Sequence, residues 1–341
     1  MMAVAAAAGV SQATVSLVLS GSKGARLTDE TRRRVLQAAQ DLGYKFVRRG
    51  TRVEQGGQGT IIFVADEIIT DPWMSLAFEG ARDKALEVGI NVLMCVSHAD
   101  ADVETNILAG FDKVPILGLV YGTILTRLVQ VPAALASRRM VLLNCYDEGR
   151  AHHSVLPGDV LGGRTATEHL LKAGRKRVGF INGQQGVDGA RDRLKGYKQA
   201  LASNDIPFDA ALVRPGNWEP SAGYDMTLEL MALANPPDAI FCANDMMALG
   251  CYDALRQLGL DVPSDVAVIG FDDREIAQYM HPPLSTLVLP LYEMGRVAVE
   301  LLLDDASGLH SSPSSIKVEC KLVERDSTRH GYAVTSKAAA G

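Results

Sequence analysis

From Thr60 onward the chain alternates short β-rich apolar runs with amphipathic helical stretches, an order that few architectures accept. The runs are Thr60 to Ala65, Asn91 to Val96, Ile116 to Tyr121, Met140 to Asn144, Arg177 to Ile181, Ala239 to Ala243 and Val266 to Phe271. Between most of them lie helical stretches such as Leu76 to Val88, Gly163 to Lys172, Arg193 to Ser203 and Met246 to Leu258. Strand and helix in alternation pack as parallel sheets covered by helices on both faces. There is enough of the pattern for two doubly wound sheets, with a break near Leu156-Pro157. Ligands of such sheets bind beyond the carboxyl ends of the strands, so polar residues at those ends are the first candidates for a site.

The segment before Thr60 has a different texture. Ala3 to Ala8 is helix-prone, and Gly9-Val10 interrupts it. Ser11 then caps a helix running through Leu19, which Gly21 ends. Thr28 caps a third helix with Asp29 and Glu30 in its first turn; Val35, Leu36, Ala39 and Leu42 face inward and Gly43 stops it. These short helices predict an all-α bundle, followed by a linker that includes Gln55-Gly-Gly-Gln-Gly59.

Charge divides along the same boundary. Residues 1–55 hold nine Lys or Arg against four Asp or Glu, net +5; the remainder holds 25 against 36, net −11. A basic head on an acidic body confines nucleic-acid contact to one end, because the body repels phosphate.

Several function classes fall away. No stretch approaches the roughly 18 apolar residues of a membrane helix, and the start lacks the basic lead and long apolar core of a secretory signal. A cytoplasmic protein without membrane attachment is expected. Cys95, Cys145, Cys242, Cys251 and Cys320 are scattered, with no C-x-x-C pair, and read as reduced structural thiols. His152-His153 has no acidic or Cys partner at ligand spacing and reads as a solvated loop, so no metal and no cofactor are expected. Gly183-Gln-Gln-Gly-Val-Asp-Gly189 is not a G-x-G-x-x-G dinucleotide turn, and neither a Walker loop nor a G-x-S-x-G elbow occurs, so no enzyme is expected. A transporter-type sugar-binding protein would share the two-sheet body, but not the basic head.

Gly9-Val-Ser-Gln-Ala-Thr-Val-Ser-Leu-Val-Leu19 meets the requirements of a helix-turn-helix: a glycine for the turn, Ser11 as cap, and Val10, Val15, Val18 and Leu19 for the buried side. Gln12, Ala13 and Ser16 then lie on the open face. Gln pairs bidentately with adenine, while Ala and Leu touch a thymine methyl. Ser11, Gln12, Ala13, Thr14, Ser16 and Leu17 are the candidate DNA-contacting residues.

Residues Val4 to Leu19, followed by Thr28-Asp-Glu-Thr-Arg-Arg-Arg-Val-Leu-Gln-Ala-Ala-Gln-Asp-Leu-Gly-Tyr44, resemble the headpiece of the LacI (lactose repressor-like) family. The body resembles it too. Asp159-Val-Leu-Gly-Gly163, Glu168-His-Leu-Leu171, Arg191-Asp-Arg-Leu-Lys-Gly-Tyr197, Ala243-Asn-Asp-Met-Met-Ala-Leu-Gly250 and Val268-Ile-Gly-Phe-Asp-Asp273 fall in family order. The resemblance implies a headpiece at 1–45, a hinge at 46–59 and a periplasmic-binding-protein-like effector and dimerisation domain at 60–330, with a disordered tail at 331–341. Three crossovers would link an N-lobe of about 60–156 and 287–313 to a C-lobe of about 157–286 and 314–330. Family members tend to carry Pro-Asn after the Gly-Tyr pair and a leucine that wedges into the minor groove; here the hinge reads Tyr44-Lys-Phe-Val-Arg-Arg-Gly-Thr-Arg-Val53. By position Val53 is the wedge, a smaller one than leucine; the alternative, an ordinary apolar linker residue, fits the sequence equally well.

The resemblance also implies a ligand in the cleft, held by Asp71, Trp73, Asn144, Arg193, Trp218, Asn244 and Asp272. A carboxylate, an arginine and two amides suit the hydroxyls of a sugar, with a tryptophan face against its apolar side. A purine is the alternative, since Trp and Arg also hold a flat base. Each strand-end Asp or Asn could equally be a cap or turn residue, and each Trp a core residue. Asp245 and Asp273 read as caps or lobe-lobe contacts, because neighbouring strand residues point opposite ways. The expected partners are a pseudo-palindromic operator DNA, a small-molecule effector and a second copy of the chain.

Overall fold

The computed structural model describes residues 2–10, 14–15, 18, 29–41, 59–69, 73–111, 114–131, 135, 138–306 and 312–329. In the headpiece, α1 spans Met2–Ala8 and α2 spans Asp29–Asp41, with Thr14, Val15 and Val18 also helical. Val4, Ala5, Ala8, Val15, Val18, Val35, Ala38 and Ala39 form its core, with Val10 against it. Leu36, expected inside, is 49% exposed. Residues 35, 38 and 39 share one face of the helix, whereas 36 is turned about 100° away from 35 and points off that face.

The body begins with a six-stranded, wholly parallel sheet that builds the first lobe. Its strands are β1 (Thr60–Ala65), β2 (Asn91–Val96), β3 (Ile116–Val129), β4 (Met140–Asp147), β5 (His153–Pro157) and β11 (Ser315–Val318), in the order β11-β5-β4-β3-β1-β2. Alternate residues of β1 serve opposite faces, as a pleated strand dictates. Ile61, Phe63 and Ala65 join the core containing α3 (Trp73–Leu86) and the late helix α9 (Leu291–Ala306); Ile62 and Val64 join the one on the other face with Tyr121, Leu142 and Ile107 of α4 (Ala101–Gly110).

The second lobe has a four-stranded parallel sheet in the order β7-β6-β8-β9, made of β6 (Val178–Ile181), β7 (Val213–Arg214), β8 (Ala239–Cys242) and β9 (Ala267–Ile269). Its helices are α5 (Asp159–Lys172), α6 (Asp188–Ser203), α7 (Pro220–Met231) and α8 (Asp245–Gln257). The sheet is enclosed by one apolar core, centred on Phe180, Tyr197, Phe241 and Phe271. Two paired glycines let α5 and α6 touch backbone to backbone: a methyl group on Gly163 would collide with the Arg193 carbonyl, and one on Gly196 with that of Val160.

Three crossovers join the lobes, at Pro157–Asp159, Leu287–Leu291 and Val318–Leu322. The short antiparallel pair β10 (Thr286–Leu287) and β12 (Leu322–Val323) binds two of them side by side. The body thus has the periplasmic-binding-protein-like fold of two parallel α/β lobes, and it follows the α-helical headpiece in the chain.

Three local expectations change. The third crossover lies beyond Val318 rather than near residue 314, because Ile316 and Val318 pack on the first lobe's core while Ser315 pairs with Ser154. The strand β3 runs eight residues past Tyr121, with a register shift against β4 between Gly122 and Arg127. His153 is not in a solvated loop: it opens β5, is buried, and its Nδ1 lies 2.9 Å from Ser314 Oγ. His152 Nδ1 stands 3.4 Å from Asp147 Oδ2. All five cysteines are free thiols, four of them buried and Cys95 partly so.

Candidate functional site: a cleft between strand ends

Near the carboxyl ends of both sheets, α6 packs close to β3, and two side-chain contacts join the lobes among the described residues. Tyr146, late in β4, donates its hydroxyl to Asp188 Oδ2 (2.6 Å), and Asp188 is the first residue of α6. The Arg274 guanidinium, beyond β9, stands 5.0 Å from the ring centre of Trp73, the first residue of α3. The site residues therefore lie where parallel α/β folds place ligands.

Arg193 organises the second lobe's side. Its side chain is 7% exposed; Nε donates to Asp159 Oδ1 (2.8 Å), Nη1 donates to the Ala243 carbonyl and stands 3.7 Å from Asp272 Oδ1. The guanidinium lies 3.6 Å from the centre of the Phe271 ring and 5.6 Å from that of Trp218. A buried cation costs several kcal/mol unless it is paired. Burial works against the charge on Arg193, but Asp159 and Asp272 outweigh it and raise its pKa, so the guanidinium stays protonated. Asp159 is the first residue of α5, directly after the first crossover, and the close α5–α6 packing brings it to Arg193.

Trp218 sits at φ +73, and a methyl group on Gly183 would collide with its indole. Its Nε1–H is buried with no hydrogen-bond acceptor among the described residues. Asp272, at φ +111, is buried between two cations, 3.7 Å from Arg193 and 3.9 Å from Arg274. Asn144 is also left-handed, at φ +58. Non-glycine residues at positive φ are costly and persist where the surroundings over-determine them, often at functional sites.

Two of the expected ligand residues have other work. Asn144 Nδ2 donates to the carbonyls of Thr123 (2.9 Å) and Ile124 (3.0 Å), and its Oδ1 accepts from Thr126 Oγ1 (2.6 Å). Both donors are spent on pinning the irregular part of β3. Asn244 is the N-cap of α8: its Oδ1 accepts from Met247 N (2.9 Å) and its Nδ2 donates to the Trp218 carbonyl (2.9 Å), so it supports the Trp218 loop. Trp73 is buried in the first lobe's core with one ring face toward Arg274. Asp71 lies outside the described residues, as do Ser11, Gln12, Ala13, Ser16, Leu17 and Val53; Thr14 is described, half-buried and helical beside buried Val15.

Asp66 was not singled out from the sequence. It follows β1, is buried, and takes Ile124 N (2.9 Å) and Glu67 N (2.8 Å) on Oδ1 and Arg127 Nη2 (2.9 Å) on Oδ2. Burial raises its pKa against the pull of those donors. Its position at the end of an apolar strand was the available signal. Asp245 and Asp273, read from the sequence as caps or lobe-lobe contacts, are neither: Asn244 caps α8, and both carboxylates hold groups of their own lobe and its crossover strands. Asp245 accepts from Thr286 Oγ1 (2.6 Å) and Arg274 N (2.7 Å), and burial, then nearby Asp272, pushes its pKa well up. Asp273 accepts from Arg325 Nη2 (2.7 Å).

A helical headpiece with a basic sequence and a two-lobed body with a polar cleft define a DNA-binding regulator that responds to a small molecule. Comparison with known proteins gives the family. Residues 1–45 match the bacterial regulatory proteins of the lacI family, and residues 167–328 match the periplasmic binding protein-like domain. The chain is 33% identical to the HTH-type transcriptional repressor CytR of Escherichia coli K12, with 96% of each protein covered. It is 28% identical to the ribose operon repressor of Haemophilus influenzae, over 96% of this chain and 98% of that one. A solved complex of the transcriptional regulator CelR with cellobiose superposes with a TM-score of 0.67 at 28% identity, covering 95% of this chain and 98% of that chain. The chain belongs to the LacI family of transcriptional regulators.

Proposed function

We propose that this regulator is a repressor whose operator affinity is set by a sugar bound between the lobes. The observation that carries the sugar reading is the pairing of Arg193 and Asp272 beneath Trp218, whose buried indole N–H has no acceptor among the described residues. A buried donor left unpaired costs about 1–3 kcal/mol, which a ligand oxygen would recover. The carboxylate and guanidinium complement sugar hydroxyls, and the Trp218 ring offers an apolar face. The cellobiose bound by CelR and the operon named for the ribose repressor support the same ligand class.

Arg193, Trp218 and Asp272 are the effector contacts of the second lobe, and Trp73 and Asp66 are their counterparts on the first. Ser11, Gln12, Ala13, Thr14, Ser16 and Leu17 read the operator. One headpiece covers only a half-site, so the regulator acts as a homodimer on a pseudo-palindromic operator. It works in the cytoplasm, where its DNA is, and catalyses no reaction. No described helix is long and apolar enough to cross a membrane.

Calorimetric titration with a panel of mono- and disaccharides, nucleosides and purine bases tests the effector class. A sugar that binds and changes affinity for an operator selected from random duplex DNA is the expected result, with Asp272→Ala weakening binding by about 1.5–3 kcal/mol. Binding of a purine and of no sugar would overturn it.

A further inference from the structure

Tyr146 belongs to the first lobe and Asp188 to the second, and Tyr146 Oη donates across the cleft at 2.6 Å. Both ends of that bond are held. Asp188 Oδ1 accepts from Arg191 Nη1 at 2.6 Å, and the Arg150 guanidinium lies 4.5 Å from the centre of the Tyr146 ring. The second crossing point is built in the same way. The Arg274 backbone N–H donates to Asp245 Oδ2 (2.7 Å), Nε stands 3.9 Å from Asp272 Oδ2, and the guanidinium faces the Trp73 ring at 5.0 Å. Trp73 is itself fixed in the first lobe's core.

Two bodies joined by three crossovers retain opening and twisting as their soft motions. A single contact across the cleft restrains one of them; two separated contacts restrain both. The Tyr146–Asp188 contact uses none of the proposed effector contacts, while the Arg274 contact shares Trp73 and the Asp272 carboxylate with them. We propose that Tyr146 and Arg274 are positioning residues that together set the resting angle between the lobes, and with it the operator affinity of the effector-free regulator. A ligand shifts a two-state equilibrium only by its differential affinity, so the latch decides the population from which the effector must start. The link to operator affinity rests on the proposed control of DNA binding through the lobes; the latch itself does not.

The chain has two tryptophans, so Trp218→Phe leaves Trp73 as the sole tryptophan of the full-length protein, excited selectively at the red edge where tyrosine does not absorb. In that background Tyr146→Phe removes one hydroxyl on β4 and leaves the surroundings of Trp73 chemically intact. If the two contacts act through one angle, acrylamide quenching of Trp73 rises about twofold in the Tyr146→Phe protein as the lobes part and Arg274 leaves the ring. Unchanged quenching would overturn the latch. With both tryptophans present, Tyr146→Phe and Arg274→Met should move effector-free operator affinity in the same direction, each by about threefold to tenfold, the scale of one charged hydrogen bond or cation–π contact. Arg274→Lys, which keeps the cation, should restore part of the loss. Shifts of opposite sign, or none, would overturn the proposal. Because these measurements use no sugar, a failed search for a sugar effector would sink the ligand reading and leave the latch standing.

Discussion

Asp159 Oδ1 accepts from Arg193 Nε at 2.8 Å, an ion pair between the first residue of α5 and the interior of α6 with both side chains nearly sealed from solvent. The pair ties the first crossover to the floor of the cleft. Breaking one half leaves a charge buried, which typically costs about 3–5 kcal/mol, whereas replacing both halves by apolar groups is often close to neutral. Asp159→Leu should therefore lower urea stability by that amount, and Asp159→Leu with Arg193→Met should recover much of it while abolishing effector binding. A single variant no less stable than the double would show that the pair contributes little.

Gly183 leaves room for Trp218, since a methyl group there would collide with the indole. Gly183→Ala should move the ring at a modest overpacking cost of about 1–3 kcal/mol. The change shows as a shift in Trp218 emission in a Trp73→Phe background, together with weaker effector binding. Wild-type emission and affinity would mean that Trp218 is not seated on Gly183.

His169 Nε2 lies 2.7 Å from Thr328 Oγ1, tying α5 to the end of the described body. Burial lowers its pKa from the model-peptide 6.5, partly opposed by Glu324. A depressed folded pKa means that the unfolded chain binds the proton more readily. The stabilisation is present above about pH 6.5 and is lost as pH falls through the lower folded value. Urea midpoints should fall on acidification through that window, and His169→Gln should flatten the slope. An unchanged slope in the variant would place the titration elsewhere.

Asn144 separates what a motif shows from what packing decides. Its Nδ2 serves two β3 carbonyls and its Oδ1 the Thr126 hydroxyl, so Asn144→Ala strands three partners. We expect a stability loss of about 1–3 kcal/mol, with effector affinity falling far less than in Arg193→Met. The opposite ranking, measured by calorimetry on folded proteins, would return Asn144 to the ligand.

Strands β1 and β2 run from Thr60 to Ala65 and from Asn91 to Val96, the limits read from composition, because each apolar run is bounded by polar residues. The strand β5 was hidden by its opening histidine and closing proline, and β11 by an alternation only four residues long. The same contrast holds in the site. Arg193 and Asp272 stand out within motifs, but Asp159 reaches Arg193 across 34 residues only because two helices pack closely, and the Arg274–Trp73 contact depends on the angle between lobes. Periodicity carries local geometry and burial; pairings across the chain follow from helix packing and lobe placement, which no single stretch of sequence encodes.

Val4, Ala8, Val15, Val18 and Val35 form the headpiece core, and Val15 and Val18 are two of the residues that the helix-turn-helix motif needs on its buried side. Gln12 lies outside the described residues; the helix-turn-helix reading of the sequence puts it with Ser16 on the open side. A glutamine there reads adenine through two hydrogen bonds, whereas the basic residues of the head contact phosphate and carry no sequence information. Gln12→Ala should cost about 1–3 kcal/mol on the best operator and relax preference at one position of each half-site. The salt dependence of binding should stay as steep as in the parent, since no phosphate contact is lost. Arg33→Ala, by contrast, should weaken binding on every sequence and reduce the salt slope by about one if it meets a phosphate. Selection from a random-sequence library by parent and variant at two salt concentrations measures both terms. An equal loss across all sequences in Gln12→Ala would show that this side chain positions the backbone and that the base is read by its neighbours.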